Sequence, residues 1–256
     1  MLTGIGSNGK STLLNLLNAF LGSDNVSKVP LQELDENRFK RADLFGKLAN
    51  VFADLDSRAL QRSTYFKTIT TGDDIDAERK HKDPFSFRPF CKLIFSANEI
   101  PKSNDRTFAY YRRWIIIPFP NKFEGRSDNK NLIDELTTPE ELSGLFNHAL
   151  HGLERLIANQ EFSENKTTRE ALEQYKTAND NVKEFLEECC VVGMGEKISR
   201  AGLFGQYRKF CEVNEYRPVS QIKFNARLLE LYPHVEKTRD ADTKRTKIWL
   251  NLKMVD

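Results

Sequence analysis

A glycine-rich segment close to the start of the chain contains the residue types that bind phosphate groups. Residues 4–12 read Gly-Ile-Gly-Ser-Asn-Gly-Lys-Ser-Thr, which matches the spacing G-x-x-x-x-G-K-S at every position. Glycines let the backbone adopt positive φ angles and approach an anion closely, so that backbone N–H groups turn towards it. The lysine adds a positive charge, and the serine hydroxyl is a ligand for Mg²⁺. The segment therefore predicts a triphosphate site; the alternative is a glycine turn before a core helix.

The residues predicted to bind the nucleotide all lie in this segment: Gly4, Gly6, Ser7, Asn8, Gly9, Lys10, Ser11 and Thr12. Lys10 is expected to neutralise the β- and γ-phosphates, and Ser11 to hold Mg²⁺. Apolar residues recur at helical spacing from residue 11 to residue 21, so the positive end of a helix dipole would face the phosphates. A loop of this kind ordinarily follows a buried strand. Because only residues 1–3 precede Gly4, we expect the first strand to be truncated.

Polar side chains follow two apolar runs that suit central strands. The run Leu48–Ala53 ends at Asp54, and Asp56 follows two residues later. Mg²⁺ and an attacking water need carboxylates at such a strand end, so both acids are catalytic candidates and Asp54 is a candidate metal ligand. Asn98 follows the second apolar run, Leu93–Ala97, and could orient water beside the γ-phosphate. The alternatives are a solvated acidic turn and, for Asn98, a turn former ahead of Pro101.

Two groups of basic residues suit contact with nucleic acid. Thr68–Asp83 lies between apolar strands and is predicted to form a hairpin whose far end carries Arg79, Lys80, His81 and Lys82, which suit a phosphate backbone. The second group, in a predicted wing near the end of the chain, consists of Lys244, Arg245 and Lys247, which could touch duplex DNA. The alternative for either group is a solvated charged loop.

Composition sets wider limits. The net charge of +2 over 256 residues is nearly balanced, but residues 197–249 hold twelve Lys/Arg against six Asp/Glu. No apolar run reaches the roughly 18 residues of a membrane span, and the N-terminus has no signal-peptide pattern. The four cysteines lack zinc-site spacing. We therefore expect a cytoplasmic protein with reduced thiols and no membrane partner, with Cys91 in the core.

The elements suggest three parts. Residues 1–124 mix helices with apolar strands that suit a sheet covered on both faces. Residues 125–180 form a helical connector with one apolar face, made of Leu142, Leu145, Phe146, Ala149, Leu153 and Leu156. Residues 181–256 are predicted to fold as helices at Val182–Cys190, Ala201–Asn214 and Gln221–Leu231, then strands at Val235–Thr238 and Thr246–Leu252. Helices followed by a basic hairpin favour a winged helix.

The order of these motifs resembles that of superfamily 3 helicases, in particular the phage, plasmid and poxvirus type that is often fused to a primase. The resemblance rests on G-x-x-x-x-G-K-S, the strand ending in acid, T-T-G-D-D-I, R-K-H-K, L-I-F-S-A-N-E-I-P and Y-Y-R-R-W-I-I-I-P-F. The segment Asp76–Lys82 is also similar to the DNA-contacting hairpin of the papillomavirus replicative helicase. The match covers roughly residues 1–124 and continues weakly beyond.

The resemblance implies an α/β fold: a P-loop, AAA+-like ATPase core around a central sheet, a helical segment and a C-terminal winged-helix domain. It also implies a homo-oligomeric ring, usually a hexamer, with ATP and Mg²⁺ between subunits. Lys10 and Ser11 would hold phosphate and Mg²⁺, Asp54 would be the acid of the second nucleotide motif, and Asn98 the γ-phosphate sensor. Arg112 or Arg113 would be the arginine finger, or else a pair of surface arginines. The family often has adjacent acids, whereas Asp54-Leu55-Asp56 separates them.

The sequence thus predicts an ATP-dependent DNA helicase of phage or plasmid replication, which moves on single-stranded DNA as a ring and has a primase as a possible partner. The alternative is an ATP-switched DNA-binding initiator or loader without processive unwinding. A small-molecule P-loop kinase would give no reason for R-K-H-K, for Asn98 or for a basic C-terminal region.

Overall fold

The computed structural model describes residues 1–103, 105–125, 128–163, 165–214, 216–240 and 246–255. The chain forms two compact units, Met1–Lys176 and Thr177–Asp256. The predicted division into three parts at residues 124 and 180 stays a prediction. Within the described ranges, no helix combines the length and the apolar character needed to cross a bilayer.

The first unit contains a parallel sheet flanked by helices. Its strands are β1 (Leu2–Thr3), β2 (Val26–Ser27), β3 (Ala49–Phe52), β4 (Ile75–Ala77), β5 (Phe85–Phe87), β6 (Lys92–Ala97) and β7 (Ile117–Pro118). Its helices are α1 (Lys10–Leu21), α2 (Leu31–Glu36), α3 (Arg38–Arg41), α4 (Thr64–Thr71), α5 (Phe108–Tyr111), α6 (Leu132–Leu136), α7 (Pro139–Asn159) and α8 (Lys166–Ala178). Five strands form the sheet in the order β2-β3-β6-β1-β7, every neighbouring pair parallel. The α/β class with a central parallel sheet is therefore confirmed.

Apolar side chains cover both faces of this sheet, as its apolar strands predict. On one face Leu14 of α1 packs with Val51. On the other, Phe95 packs with Phe66 and Trp114, whose rings stack 4.7 Å apart between centroids. Cys91 is buried, and burial raises the pKa of its thiol to about 11.

Two predicted strands are shorter than the sequence suggests. The run of residues 113–119 is one of the apolar strands expected within residues 1–124, but only Ile117–Pro118 pair, because the neighbouring strand β1 consists of two residues. The predicted hairpin at residues 68–83 begins late, because Thr68–Thr71 form the last turn of α4. Hydroxyls of that turn donate to carbonyls of the preceding turn, and Gly72 ends the helix in the left-handed region at φ 78°.

The residues of the apolar face listed above all lie on the helix α7. None of its described side chains is buried within the unit, and Phe146 is the one that meets an aromatic ring of α1, at 6.4 Å from the Phe20 ring centroid.

The described residues of the second unit form α9 (Asn181–Cys189), β8 (Cys190–Ser199), α10 (Arg200–Val213), α11 (Gln221–Leu231), β9 (Glu236–Arg239) and β10 (Lys247–Met254). Its antiparallel sheet has the order β8-β10-β9. The three predicted helices and two predicted strands are present within one or two residues. The strand β8 was not predicted, because Gly193 and Gly195 interrupt its sequence and only pairing with β10 makes it a strand. Trp249, Tyr207 and Phe224 fill the core.

Candidate functional site

The glycine-rich segment forms a tight loop between β1 and α1. Gly4, Gly6, Ser7 and Gly9 all have positive φ, at 147°, 42°, 45° and 85°. The Phe123 N–H donates to the Ser7 carbonyl at 2.7 Å and closes the loop from outside. Conformations of this kind turn consecutive backbone N–H groups to one side, which is the geometry of an anion nest.

Lys10 lies inside this loop with its side chain turned back upon it. The residue is 4% exposed. Its ammonium donates to the Gly4 carbonyl and, at 3.1 Å, to Asn8 Oδ1. Asn8 is itself fixed, because its Nδ2 donates to the Phe119 carbonyl at 3.2 Å. Among the described residues no carboxylate forms an ion pair with Lys10, so a buried positive charge faces the loop with neutral partners alone. Such a charge is costly and favours an anion beside it.

The first turn of α1 adds further donors. Gly9 caps the helix in the left-handed region and offers no side-chain acceptor to the first N–H groups. The hydroxyl-bearing residues Ser11 and Thr12 sit in that turn, and Ser11 is exposed. Open N–H groups and the positive end of the helix dipole therefore join Lys10 at one anion site.

Sheet register brings the predicted acid and amide to this loop. Thr3 pairs with Ala97, and Phe52 pairs with Phe95, in parallel ladders. The residues that follow these strands, Gly4, Asn98 and Asp54, therefore leave the sheet at the same carboxyl edge. Both polar side chains are exposed there.

The two acids differ in their surroundings. Asp54 adopts φ 51°, uncommon for a residue with a side chain, and its N–H donates to Ser96 Oγ at 3.2 Å. Its carboxylate stays exposed at the sheet edge. Asp56 instead caps its own turn, since Oδ1 accepts from the Arg58 N–H at 3.0 Å. This difference favours Asp54 as the group that faces the loop.

Two polar side chains that the sequence did not single out hold this edge in place. Ser96 is fully buried; its Oγ accepts from the Asp54 N–H at 3.2 Å, and its carbonyl accepts from the Leu55 N–H at 2.9 Å. Gln32 donates to the carbonyls of Asp56 at 3.2 Å and Arg58 at 3.0 Å. Both act through backbone groups distant in sequence, so no local pattern could have revealed them.

The neighbouring arginines have different environments. The Arg113 guanidinium donates to Thr70 Oγ1 at 3.0 Å, to Thr71 Oγ1 at 2.8 Å and to the Ala109 carbonyl. Arg112 is exposed, and its side chain forms no hydrogen bond or ion pair with another residue of the described ranges. Of the two, Arg112 is therefore free to reach another molecule.

The basic group of residues 79–82 forms the tip of the hairpin β4–β5. The Lys82 N–H donates to the Arg79 carbonyl at 3.0 Å, so Lys80 and His81 occupy the centre of the turn, with His81 at φ 61°. Lys80, His81 and Lys82 are exposed. Arg79 is exposed as well, but its guanidinium lies 5.3 Å from the Phe85 ring centroid and 5.6 Å from that of Phe45.

In the second unit, Lys247 opens β10 opposite Arg239 of β9, and both side chains are exposed. The other predicted wing residues, Lys244 and Arg245, lie outside the described residues. Asp240, before them, pairs with Lys197 of β8 at 3.8 Å.

Comparisons with known proteins bear on both units. Residues 2–113 match a family model described as a family of unknown function (DUF5906), and residues 177–256 match one described as Poxvirus D5 protein-like. A protein named Putative helicase L207/L206, from Acanthamoeba polyphaga mimivirus, is 33% identical over 135 residues, which are 50% of this chain and 14% of that protein.

These matches support the resemblance of the chain to the superfamily 3 primase-helicase type. Another relative, named Putative helicase 121R, from Invertebrate iridescent virus 3, is 29% identical over 138 residues, which are 48% of this chain and 14% of that protein. The chain thus spans about one seventh of the curated relatives it matches, whose names support a helicase-like function. A solved structure of the NrS-1 C-terminal region shares the fold, with a TM-score of 0.51, 16% identity, and coverage of 98% of this chain and 65% of that one.

The loop geometry predicts that two of its glycines differ in what they tolerate. A Cβ on Gly4 would lie 2.4 Å from the Phe119 carbonyl oxygen, whereas one on Gly6 meets nothing within 4 Å. Gly6→Ala should cost only the left-handed conformation, about 1–2 kcal/mol. Gly4→Ala should cost clearly more, since backbone must also move.

Urea unfolding of both variants measures this difference. Gly4→Ala should also lose binding of an ATP analogue, because the displaced loop no longer surrounds Lys10. Equal stability of the two variants would contradict the close approach of Gly4 to Phe119.

Proposed function

We propose that this chain is the motor region of an ATP-dependent DNA helicase that moves along single-stranded DNA as a ring. The observation that carries the proposal is the buried Lys10 ammonium, which lacks a carboxylate partner in the described structure and lies at the same sheet edge as Asp54 and Asn98. A triphosphate supplies the missing negative charge. The names of the viral relatives support nucleotide-driven strand separation as the use of that site.

The loop and the first turn of α1 would bind the triphosphate through backbone N–H groups, with Lys10 on the β- and γ-phosphates. The residues present fit Mg²⁺, which favours one or two carboxylates together with phosphate oxygens: Ser11 and Asp54 would hold it. When bound, Mg²⁺ neutralises phosphate charge. Asp54 and Asn98 would orient the attacking water, and Asn98 would sense the γ-phosphate.

Ring assembly would complete the site. Phosphoryl transfer is stabilised by an arginine supplied from another subunit in many P-loop enzymes, and this makes turnover depend on assembly. Arg112 suits that role because its side chain is exposed and free of bonds to the described residues. Arg113 suits an internal role because it holds the end of α4.

DNA would pass the hairpin tip. Lys80, His81 and Lys82 present charge to a phosphate backbone, which carries no sequence information, so binding would be insensitive to sequence. We also propose that the second unit is a winged helix: its element order and basic residues support contact of Lys247 with duplex DNA. An upstream primase and a hexameric state belong to the same proposal.

The nucleotide site is tested first. Lys10→Ala should abolish ATP hydrolysis while the fold survives, because its ammonium serves a phosphate rather than a core contact. Asp54→Asn should bind ATP but turn over slowly, and Asp56→Asn should keep most activity, because its carboxylate caps a turn. ATPase assays with parallel nucleotide-binding measurements decide this. If Asp54→Asn hydrolysed ATP at the wild-type rate and Asp56→Asn did not, Asp56 rather than Asp54 would be the catalytic acid.

The arginines are tested by mixing. Arg112→Ala should lower turnover by about a thousandfold, the scale of an arginine finger, with nucleotide affinity retained. Arg113→Ala should lower stability, because Thr70 and Thr71 lose their partner. Mixing Arg112→Ala with Lys10→Ala in the full-length protein should restore part of the ATPase, since some interfaces then pair an intact loop with an intact finger. Absence of rescue at every ratio, in variants shown to assemble, would argue against a shared site.

The hairpin is tested by salt dependence. Lys80→Ala should weaken binding to all single strands alike and should flatten the plot of log affinity against log salt by about 0.7 per lost phosphate contact. ATPase without DNA should persist, whereas DNA stimulation and unwinding should fall. His81→Ala should be less salt-sensitive if the ring stacks on a sugar or base. A Lys80→Ala/His81→Ala double variant that unwinds duplex like wild type would move the DNA path to the wing of the second unit.

A further inference from the structure

The loop that follows β6, described over residues 98–103 and 105–107, leads from the proposed sensor towards the proposed finger. It begins at Asn98, after β6, and leads into α5, which Arg112 follows. Asp105 lies near its end, with a side chain 14% exposed. Its carboxylate accepts from Ser63 Oγ at 2.5 Å and from the Lys67 ammonium at 2.6 Å. Thr107 adds its N–H at 3.0 Å and its hydroxyl at 2.7 Å. One side chain thus fastens the loop to the start of α4 and to the start of α5.

The Asp105–Lys67 contact is built to remain charged. Burial by itself would raise the pKa of Asp105, but the hydrogen bonds from Lys67, Ser63 and Thr107 outweigh it and hold that pKa well below its usual range. Folding therefore gains stability from this group above the ordinary pKa of Asp, about 3.9, and loses it as pH falls further. At neutral pH the carboxylate is a firm anchor.

The same loop contacts the segment that follows the acids. The Leu60 N–H donates to the Lys102 carbonyl at 2.7 Å, and the Tyr175 hydroxyl donates to the Pro101 carbonyl at 2.9 Å. Leu60 belongs to the stretch that begins with Asp54 and Asp56. The loop after Asn98 is therefore hydrogen-bonded to the segment that follows Asp54, so the segments after these two polar residues are linked.

The helix α4 joins this loop to the hairpin. Its N-cap Ser63 and first-turn Lys67 bind Asp105, and its last turn binds Arg113 through Thr70 and Thr71. Gly72 ends the helix, and β4 begins three residues later at Ile75. The buried ring of Phe66 stacks on Trp114 in the core. The helix is thus held at both ends and leads into β4, the first strand of the hairpin whose turn contains Lys80 and His81.

We propose that Asp105 is a positioning residue that couples the nucleotide edge to the hairpin tip by fastening the loop after Asn98 to α4. The inference rests on the proposed function. A displacement of the loop at the γ-phosphate then moves α4, and with it the hairpin. Loss of the anchor leaves ATP hydrolysis in place but separates it from movement of DNA.

Two variants of the full-length protein test this coupling. Asp105→Asn removes the anion, and Lys67→Met removes the cation while Ser63 and Thr107 still hold Asp105. Both should bind nucleotide and hydrolyse it without DNA as wild type does. The number of base pairs unwound per ATP should fall about tenfold, within the usual range of coupling between sites. The double variant should unwind about as many base pairs per ATP as either single variant, because both single changes remove the same Asp105–Lys67 ion pair.

Lys40→Met is the matched control, since Lys40 pairs with Asp43 at 3.7 Å on an exposed part of the same unit. It should change neither ATPase nor unwinding. Thermal melting establishes that each variant is folded, and if Asp105→Asn melts early, Lys67→Met carries the test.

Three results would overturn the inference. Unchanged unwinding per ATP in a folded Lys67→Met protein would make the contact structural only. If the ATPase activity measured in the absence of DNA fell in Asp105→Asn to the level of Lys10→Ala, Asp105 would belong to the nucleotide site itself. A wild-type protein whose ATPase ignores DNA would remove the proposed function, and the coupling with it, and that outcome is recognisable before any variant is made.

Discussion

Parallel pairing of β6 with both β1 and β3 is the constraint on which the site depends. It brings three chain segments, distant in sequence, out of the sheet at one edge: the loop with Lys10, the turn with Asp54 and the loop after Asn98. The pairing with β1 rests on two residues, so the backbone alone fixes little. The rest of the restraint comes from side chains, chiefly Ser96 at the end of β6 and Asn8 within the loop.

This arrangement explains why a buried ammonium is tolerated. Lys10 is satisfied by neutral oxygens of its own loop, so the loop is closed without an anion, yet its positive charge remains uncompensated by any described carboxylate. In the proposed function, an incoming phosphate would therefore replace neutral acceptors of the Lys10 ammonium with charged ones, and charged acceptors form stronger hydrogen bonds. Glycine at position 4 makes that closure possible, because any side chain there would collide with the Phe119 carbonyl.

Features that depend on residues close together in the sequence, such as helices and short loops, were predicted from the sequence. The helix at Gln221–Leu231 was predicted at its true bounds, because Ser220 accepts from the Lys223 N–H as an N-cap and apolar residues repeat at helical spacing. The loop and the sheet-edge position of Asp54 follow equally from short motifs. The strand β8 could not be predicted, because its glycines disfavour a strand and its partner β10 lies about fifty residues away. The anchors Gln32 and Asp105 escaped notice for the same reason: each acts on chain that only the fold brings near.

Within two pairs of neighbouring cations, the two side chains differ in their surroundings. Arg79 and Lys80 look alike in sequence, as do Arg112 and Arg113, yet one member of each pair is engaged by its own unit. Arg79 lies against aromatic rings, and Arg113 is bound by threonine hydroxyls at the end of α4. Each of these arginines is engaged next to an exposed cation, and a restrained neighbour would lower the entropy lost if that cation met a phosphate, as the proposed function requires. The paired arrangement thus argues that one cation positions and the other contacts, a division that side-chain type alone cannot express.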